Sequence, residues 1–106
     1  MNLVEIIYKL TANLPKHESF GLSDQLRRAV SSVPLNIAEG SGCNSDKEFI
    51  QFLTMARRSL YEVVTATKIA QRLGYIKEAK VIQSLAQSDK VGSLINGLIN
   101  SLRKGR

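Results

Sequence analysis

The sequence predicts an all-α fold: an antiparallel up-down-up-down bundle of four helices. Three observations predict it. Four segments carry apolar residues at a period near 3.6, no run alternates with the two-residue period of a half-buried strand, and the connections between segments are short. The 106 residues fit a single domain, 1–106. Area scaling gives a folded chain of this mass about 5,900 Å² of surface, enough burial for a modest core.

The first helix is expected over about residues 2–14, with Leu3, Ile6, Ile7, Leu10 and Leu14 on one face. Pro15 ends it, since proline has no amide proton and disfavours helix in the residue before it. The second is expected over about 22–40, with Leu22, Leu26, Ala29, Val30, Val33 and Ile37 inward and Ser23 or Asp24 accepting from free amides at its start. Pro34 removes the bond to Val30, so a kink is expected there. Gly40-Ser41-Gly42-Cys43-Asn44 is the clearest break.

Ser45, with Glu48 three residues on, forms a capping box that opens the third helix, expected over about 45–73. Its inward stripe is Phe49, Phe52, Leu53, Ala56, Leu60, Val63, Val64, Thr67, Ala70 and Leu73. Gly74 then stands where a left-handed cap is wanted, with Tyr75 and Ile76 folding back on the last turn. The fourth helix is expected over about 77–102, with Ile82, Leu85, Val91, Leu94, Ile95, Leu98, Ile99 and Leu102 inward and Ser88-Asp89 as a candidate break. The tail Arg103-Lys104-Gly105-Arg106 is expected to fray.

Fifteen Lys and Arg against nine Asp and Glu leave a net charge of +6. That favours an acidic partner: nucleic acid, an anionic membrane face or an acidic protein. One cysteine makes no internal disulfide. Met1-Asn2-Leu3-Val4-Glu5 lacks the basic segment of a secretory signal, and no apolar run approaches the ~18 residues of a membrane span. A soluble, cytoplasmic protein is the expectation.

Reactive groups are scarce. A di-iron bundle core needs inward Glu-x-x-His pairs, and a zinc site needs about four ligands. This chain has one histidine, His17, and one cysteine, Cys43, in different loops, so no metal or cofactor is expected. A Cys43–His17 nucleophilic pair lacks a third orienting group, and an incidental thiol and a loop histidine account for both residues. The glycine-containing loop before the third helix matches no phosphate-binding pattern. No catalytic residue is assigned.

Three features remain. Arg28, Ser32, Asn36 and Glu39 share one stripe of the second helix. The stripe is either a solvated face or a polar network at a subunit contact, with Glu62 a candidate partner for Arg28 or Arg27; such a network specifies assembly more than it stabilises the fold. Secondly, Gly92, Ser93, Asn96, Gly97, Asn100 and Ser101 make the back of the fourth helix small and uncharged. Interior glycines cost about 1 kcal/mol each, so this face suggests the close approach of another helix at an oligomer interface, with a frayed C-terminal helix as the alternative. Thirdly, the third helix carries Lys47, Arg58, Lys68 and Arg72 outside its core stripe, with Arg57 at the border, and basic residues continue through Lys77, Lys80, Lys90, Arg103, Lys104 and Arg106. They are either ordinary surface charge or a phosphate-contacting surface with little sequence information. Tyr61 is the one plausible stacking group beside them.

Several stretches resemble a known family. They are Tyr8-Lys9-Leu10-Thr11, Leu14-Pro15-Lys16, Phe20-Gly21-Leu22, Gln25-Leu26-Arg27-Arg28-Ala29, Ser32-Val33-Pro34 and Asn36-Ile37-Ala38-Glu39-Gly40. They continue with Lys47-Glu48-Phe49-Ile50-Gln51-Phe52-Leu53, Ala56-Arg57-Arg58-Ser59-Leu60-Tyr61-Glu62 and Leu73-Gly74-Tyr75-Ile76. Tyr8 to Ile76 resembles the proteins encoded in intervening sequences of bacterial 23S rRNA genes, a family similar to the accessory proteins of diversity-generating retroelements. The resemblance implies an antiparallel four-helix bundle in a homopentameric ring, with no enzymatic activity established for the class. In the retroelement relatives the ring's positive surface binds nucleic acid and a reverse transcriptase; for this chain RNA binding follows by analogy. Two departures stand out. Relatives usually begin with a further turn or more of helix, so the first helix here is expected to cover less of the core. Cys43 and Asn44 stand where relatives commonly carry basic residues.

The leading expectation is thus a non-enzymatic homo-oligomeric bundle binding RNA or DNA non-specifically. Arg57, Arg58, Lys68 and Arg72 carry the binding, with Lys77, Lys80 and the tail as auxiliaries. The alternative is an interaction scaffold for a reverse transcriptase or another acidic protein partner. Membrane-surface binding is disfavoured because the last amphipathic stripe is needed for the core.

Overall fold

A side chain starts each of the first three helices by accepting from a free amide, and a glycine closes the third. The computed structural model describes residues 2–105: α1 (Leu3–Ala12), a 3-10 turn (Lys16–Glu18), α2 (Leu22–Ser41), α3 (Asp46–Arg72) and α4 (Glu78–Arg103), with no strand among those residues. The predicted residues Met1 and Arg106 lie outside the described range. Asn2 Oδ1 accepts from the Val4 amide at 2.7 Å and starts α1. α1 stops at Ala12 rather than near 14, and Leu14 is buried in the turn that follows.

α2 is not capped by Ser23 or Asp24. Its capping position is Gly21, and Glu18 Oε1 accepts from the Leu22 amide at 3.2 Å. Pro34 lies within a helix that continues to Ser41. At α3, Ser45 Oγ accepts from the Glu48 amide at 3.2 Å and donates to Glu48 Oε1 at 3.1 Å. Gly74 takes φ +77° after α3, where its amide bonds Gln71 O and the Tyr75 amide bonds Ala70 O, both at 2.9 Å. These two bonds are the Schellman pattern, which favours glycine at the left-handed position. α4 runs through Ser88-Asp89 without a break.

α2 packs on α3, α3 on α4, and α1 on α2 and α4. The core draws Leu3, Ile7 and Leu10 from α1, Leu26, Val30 and Val33 from α2, Leu53, Ala56, Leu60 and Val63 from α3, and Ile95 and Ile99 from α4. Leu73, expected inward, is half exposed at the end of α3. The larger correction is in α4. Val81, Ser84 and Ser88 face the core, whereas Ile82, Leu94 and Leu98 are 60, 70 and 41 % exposed. Ile82 is displaced because Val81, Ser84 and Ser88 continue the Ile95–Ile99–Leu102 stripe backwards along α4. Leu94 and Leu98 lie about one and two turns beyond Val91, which lines a groove with the first described residues of α1.

Glycine sets the closest approaches. A Cβ on Gly40 would stand 2.7 Å from Phe49 Cδ1 and 2.8 Å from Phe52 Cβ, so α2 meets α3 there only without a side chain. A Cβ on Gly92 would be 3.3 Å from Leu60 Cδ2. The helix approaching the small face of α4 is therefore α3 of the same chain at Gly92, while Gly97 faces open space. Gly40→Ala is expected to lower the urea midpoint, losing about 1–2 kcal/mol as overpacking outweighs the gain in helix propensity. Gly97→Ala in the same assay is expected to hold or raise it, by up to ~1 kcal/mol.

Candidate nucleic-acid interface

Helical geometry draws four of the expected residues into a row. Arg57, Tyr61, Lys68 and Arg72 follow at intervals of four, seven and four, near the 11-residue repeat of a straight helix, and so share one side of α3. At ~1.5 Å per residue the row is about 22 Å long. Arg57 is half-buried, and its Nη1 donates to Asn96 Oδ1 on α4 at 2.9 Å. Lys68 and Arg72 are exposed, as is Arg58 on the adjoining outer face, and among the described residues none of these cations forms an ion pair. Tyr61 and Lys68 line a groove of about 410 Å³ between α3 and α4, together with Leu85 and Gly92; Asp89 is its one carboxylate.

Lys77 and Lys80 are not part of this row. They line a cleft of about 570 Å³ between α1 and the start of α4, together with Lys9, which sequence reasoning did not single out. Periodicity hides that grouping, because Lys9 is brought to the other two only by the way α1 packs on α4.

The Arg28-to-Glu39 stripe divides. Arg28 is exposed and pairs with Asp24 Oδ2 of its own helix at 3.4 Å. Ser32 Oγ receives hydrogen bonds from Ser59 Oγ of α3 and from Asn36 Nδ2, each at 2.9 Å. Glu39 and Glu62 are exposed. Glu62 lines the same groove as Arg28 and Ser32 but within the chain makes no ion pair with the candidate partners Arg28 and Arg27. Arg27 is engaged by α1: its Nε donates to Thr11 Oγ1 at 2.7 Å and its guanidinium lies 5.1 Å from the Tyr8 ring centroid. At the mouth of the Arg28 groove Phe20 is 98 % exposed, a residue that periodicity could not flag because it lies between helices.

A second lock closes one end of the molecule. Tyr75 OH donates to Glu18 Oε2 at 3.0 Å and is 3.2 Å from His17 Nε2. With its proton on Glu18, the hydroxyl is left to accept from His17. The hydrogen bond to Glu18 raises the Tyr75 pKa above its ordinary value, helped by desolvation and by the Glu18 charge. Cys43 is separated from His17 by α2, a span of about 30 Å at ~1.5 Å per residue. Its thiol is pushed up by desolvation and by Glu48 and Glu39, the reverse of what a nucleophile requires. Asp46 and Glu48 already occupy the first turn of α3, so the preceding loop offers no unoccupied positive helix end to a phosphate. Among the described residues no helix is long and apolar enough to cross a membrane.

These locks and close approaches use the residues on which the family resemblance rests. The family model for the 23S rRNA-intervening sequence protein matches residues 1–97. The chain belongs to that family. A solved structure from Bacteroides thetaiotaomicron, described as a protein of unknown function from the S23 ribosomal protein family, is similar in fold. It has a TM-score of 0.82 over 94 % of this chain and 93 % of that chain, at 24 % identity. A search of curated proteins gives no significant match. In this member of the 23S rRNA-intervening sequence family, Tyr8, Thr11 and Arg27 join α1 to α2, Gly40 admits Phe49 and Phe52, and Gly74-Tyr75 turns the chain back onto Glu18. Those residues secure the fold, while Arg58, Lys68 and Arg72 of α3 are left to the solvent.

The Tyr75 lock has a pH signature. A tyrosine whose folded pKa is raised contributes stability that is fully present below its unfolded value and is lost as pH rises through the folded pKa. Ultraviolet titration of the phenolates is expected to show one tyrosine ionising above the ordinary value of about 10, absent in Tyr75→Phe and shifted down in Glu18→Gln. A wild-type curve that Tyr75→Phe leaves unchanged above that value would contradict the lock.

Proposed function

We propose that this protein is a non-enzymatic, homo-oligomeric four-helix bundle that binds RNA or DNA with little sequence specificity. One observation carries the reading: the α3 cations Arg57, Arg58, Lys68 and Arg72 have no carboxylate partners among the described residues and run beside an exposed tyrosine. Such a row attracts phosphates by charge and releases condensed counterions when it binds them, so affinity falls with salt and depends little on base identity. Tyr61 offers one ring for a base to stack on.

The reading includes an antiparallel, up-down-up-down arrangement and a homopentameric ring. The first is supported by contacts that rise along one helix as they fall along the next: Tyr8 with Ser31 and Thr11 with Arg27, Gly40 with Phe49 and Ser32 with Ser59, Leu60 with Gly92 and Arg57 with Asn96. The ring is supported by the exposed apolar side chains Leu94 and Leu98 on α4 and by Phe20. Five copies would repeat the basic row around one particle. The exposure of Phe20 also favours the scaffold reading, in which a protein partner takes that aromatic as its anchor.

Fluorescence anisotropy with mixed-sequence single-stranded RNA across a salt series tests the proposal. Affinity is expected to fall linearly on a log–log plot. The triple variant Arg58→Gln/Lys68→Gln/Arg72→Gln should flatten the slope by about 2, at ~0.7 per lost phosphate contact per chain. Binding indifferent to salt, or a triple variant with an unchanged slope, would overturn it. Recovery of a protein partner that survives nuclease treatment, with no RNA binding at low salt, would establish the scaffold instead.

A further inference from the structure

We infer that the cleft between α1 and the start of α4 binds a phosphate monoester borne on a flat, apolar body: a nucleotide, either free or at the end of a strand. The site is separate from the α3 row. Its volume of about 570 Å³ suits a ligand of that size. Its walls divide by chemistry: Ile6, Leu10 and Ile76 supply apolar surface, while Lys9, Lys77 and Lys80 supply charge, and no carboxylate lines it. Among the described residues none of the three lysines forms an ion pair.

The placement of two of these lysines supports the same conclusion. Lys9 lies in the last turn of α1, where the helix dipole favours a cation. Lys77 and Lys80 lie at the start of α4, where the dipole disfavours one. Lys77 is also the capping residue of α4 and provides no side-chain acceptor, and Glu78 is the one acidic residue in the first turn beside the two lysines. Glu78 offsets part of the charge at that helix start but does not line the cleft, where three ammonium groups oppose one another until an anion enters. A phosphate monoester is close to doubly charged at neutral pH and meets ammonium groups as a compact charge. The apolar walls give the attached base or sugar a surface that free phosphate cannot use.

Nitrogen–proton correlation spectra of the full chain, titrated with AMP, adenosine and inorganic phosphate, test the site. AMP is expected to shift the amides of Ala79, Lys80 and Lys9 saturably, with adenosine and phosphate each at least about tenfold weaker. Lys77→Gln/Lys80→Gln should weaken AMP by about tenfold or more while raising the melting temperature of the ligand-free protein, since it removes cations from a helix start. Arg58→Gln/Lys68→Gln/Arg72→Gln should leave AMP binding unchanged, so this site and the α3 row stand or fall separately. A short oligonucleotide with a 5′-phosphate that shifts these amides more than its 5′-hydroxyl twin assigns the site to strand ends; equal shifts assign it to the free nucleotide. No saturable shift by about 10 mM AMP, or equal AMP binding by the lysine double variant, would overturn the inference.

Discussion

A ten-residue helix has to complete a bundle whose other three members run for 20, 27 and 26 residues. That mismatch governs most of the surface. At one end α1 is tightly joined: Arg27 takes Thr11 and Tyr8, Leu14 tucks under the turn, and Glu18 and Tyr75 tie the start of α2 to the end of α3. Toward the other end a groove is lined by Leu3, Val33, Pro34, Ile37 and Val91, and further along α4 Leu94 and Leu98 are exposed. The accessible surface is 6719 Å², above the ~5,900 Å² that scaling gives for a monomer of this mass. The radius of gyration, 14.8 Å, likewise exceeds the ~13 Å of a compact domain of this length.

The same geometry separates the positive charge into two sets with different surroundings. The α3 row is long, open and flanked by a tyrosine, which suits a flexible polyanion held by many weak contacts. The lysines at the end of α1 and the start of α4 enclose a cleft with apolar walls, which suits a small ligand with one concentrated charge. Repetition of both sets around an oligomer would strengthen long-range attraction for nucleic acid without adding any contact within a subunit.

The fold was legible because its determinants are local or periodic. The 3.6-residue spacing located the inward faces of α1, α2 and α3, Ser45 opened α3, and Gly74 closed it in the predicted left-handed turn. What could not be read depended on relations between helices. Ile82, Leu94 and Leu98 fit an apolar stripe as well as Val81 does, and only the packing of α4 against its neighbours decides which of them is covered. Ser84 and Ser88 carry no hydrophobic signal at all, yet they are buried with their hydroxyls unpaired. The candidate site shows the same division. Arg57, Lys68 and Arg72 share a face by helical arithmetic, whereas Lys9 joins Lys77 and Lys80 only through packing. Of the two glycines on the small face of α4, Gly92 meets α3 of the same chain, while Gly97 faces open space.

The account stands or falls on whether the apolar face left open by α1 is covered by neighbouring copies. Static light scattering on purified, nuclease-treated protein, followed from high to sub-micromolar concentration, measures this directly. The account predicts a stable particle at a multiple of the 11.7 kDa chain, about 58 kDa for a ring of five, that collapses when Leu94 and Leu98 are replaced by glutamate. A well-folded single chain of 11.7 kDa at every concentration would contradict it.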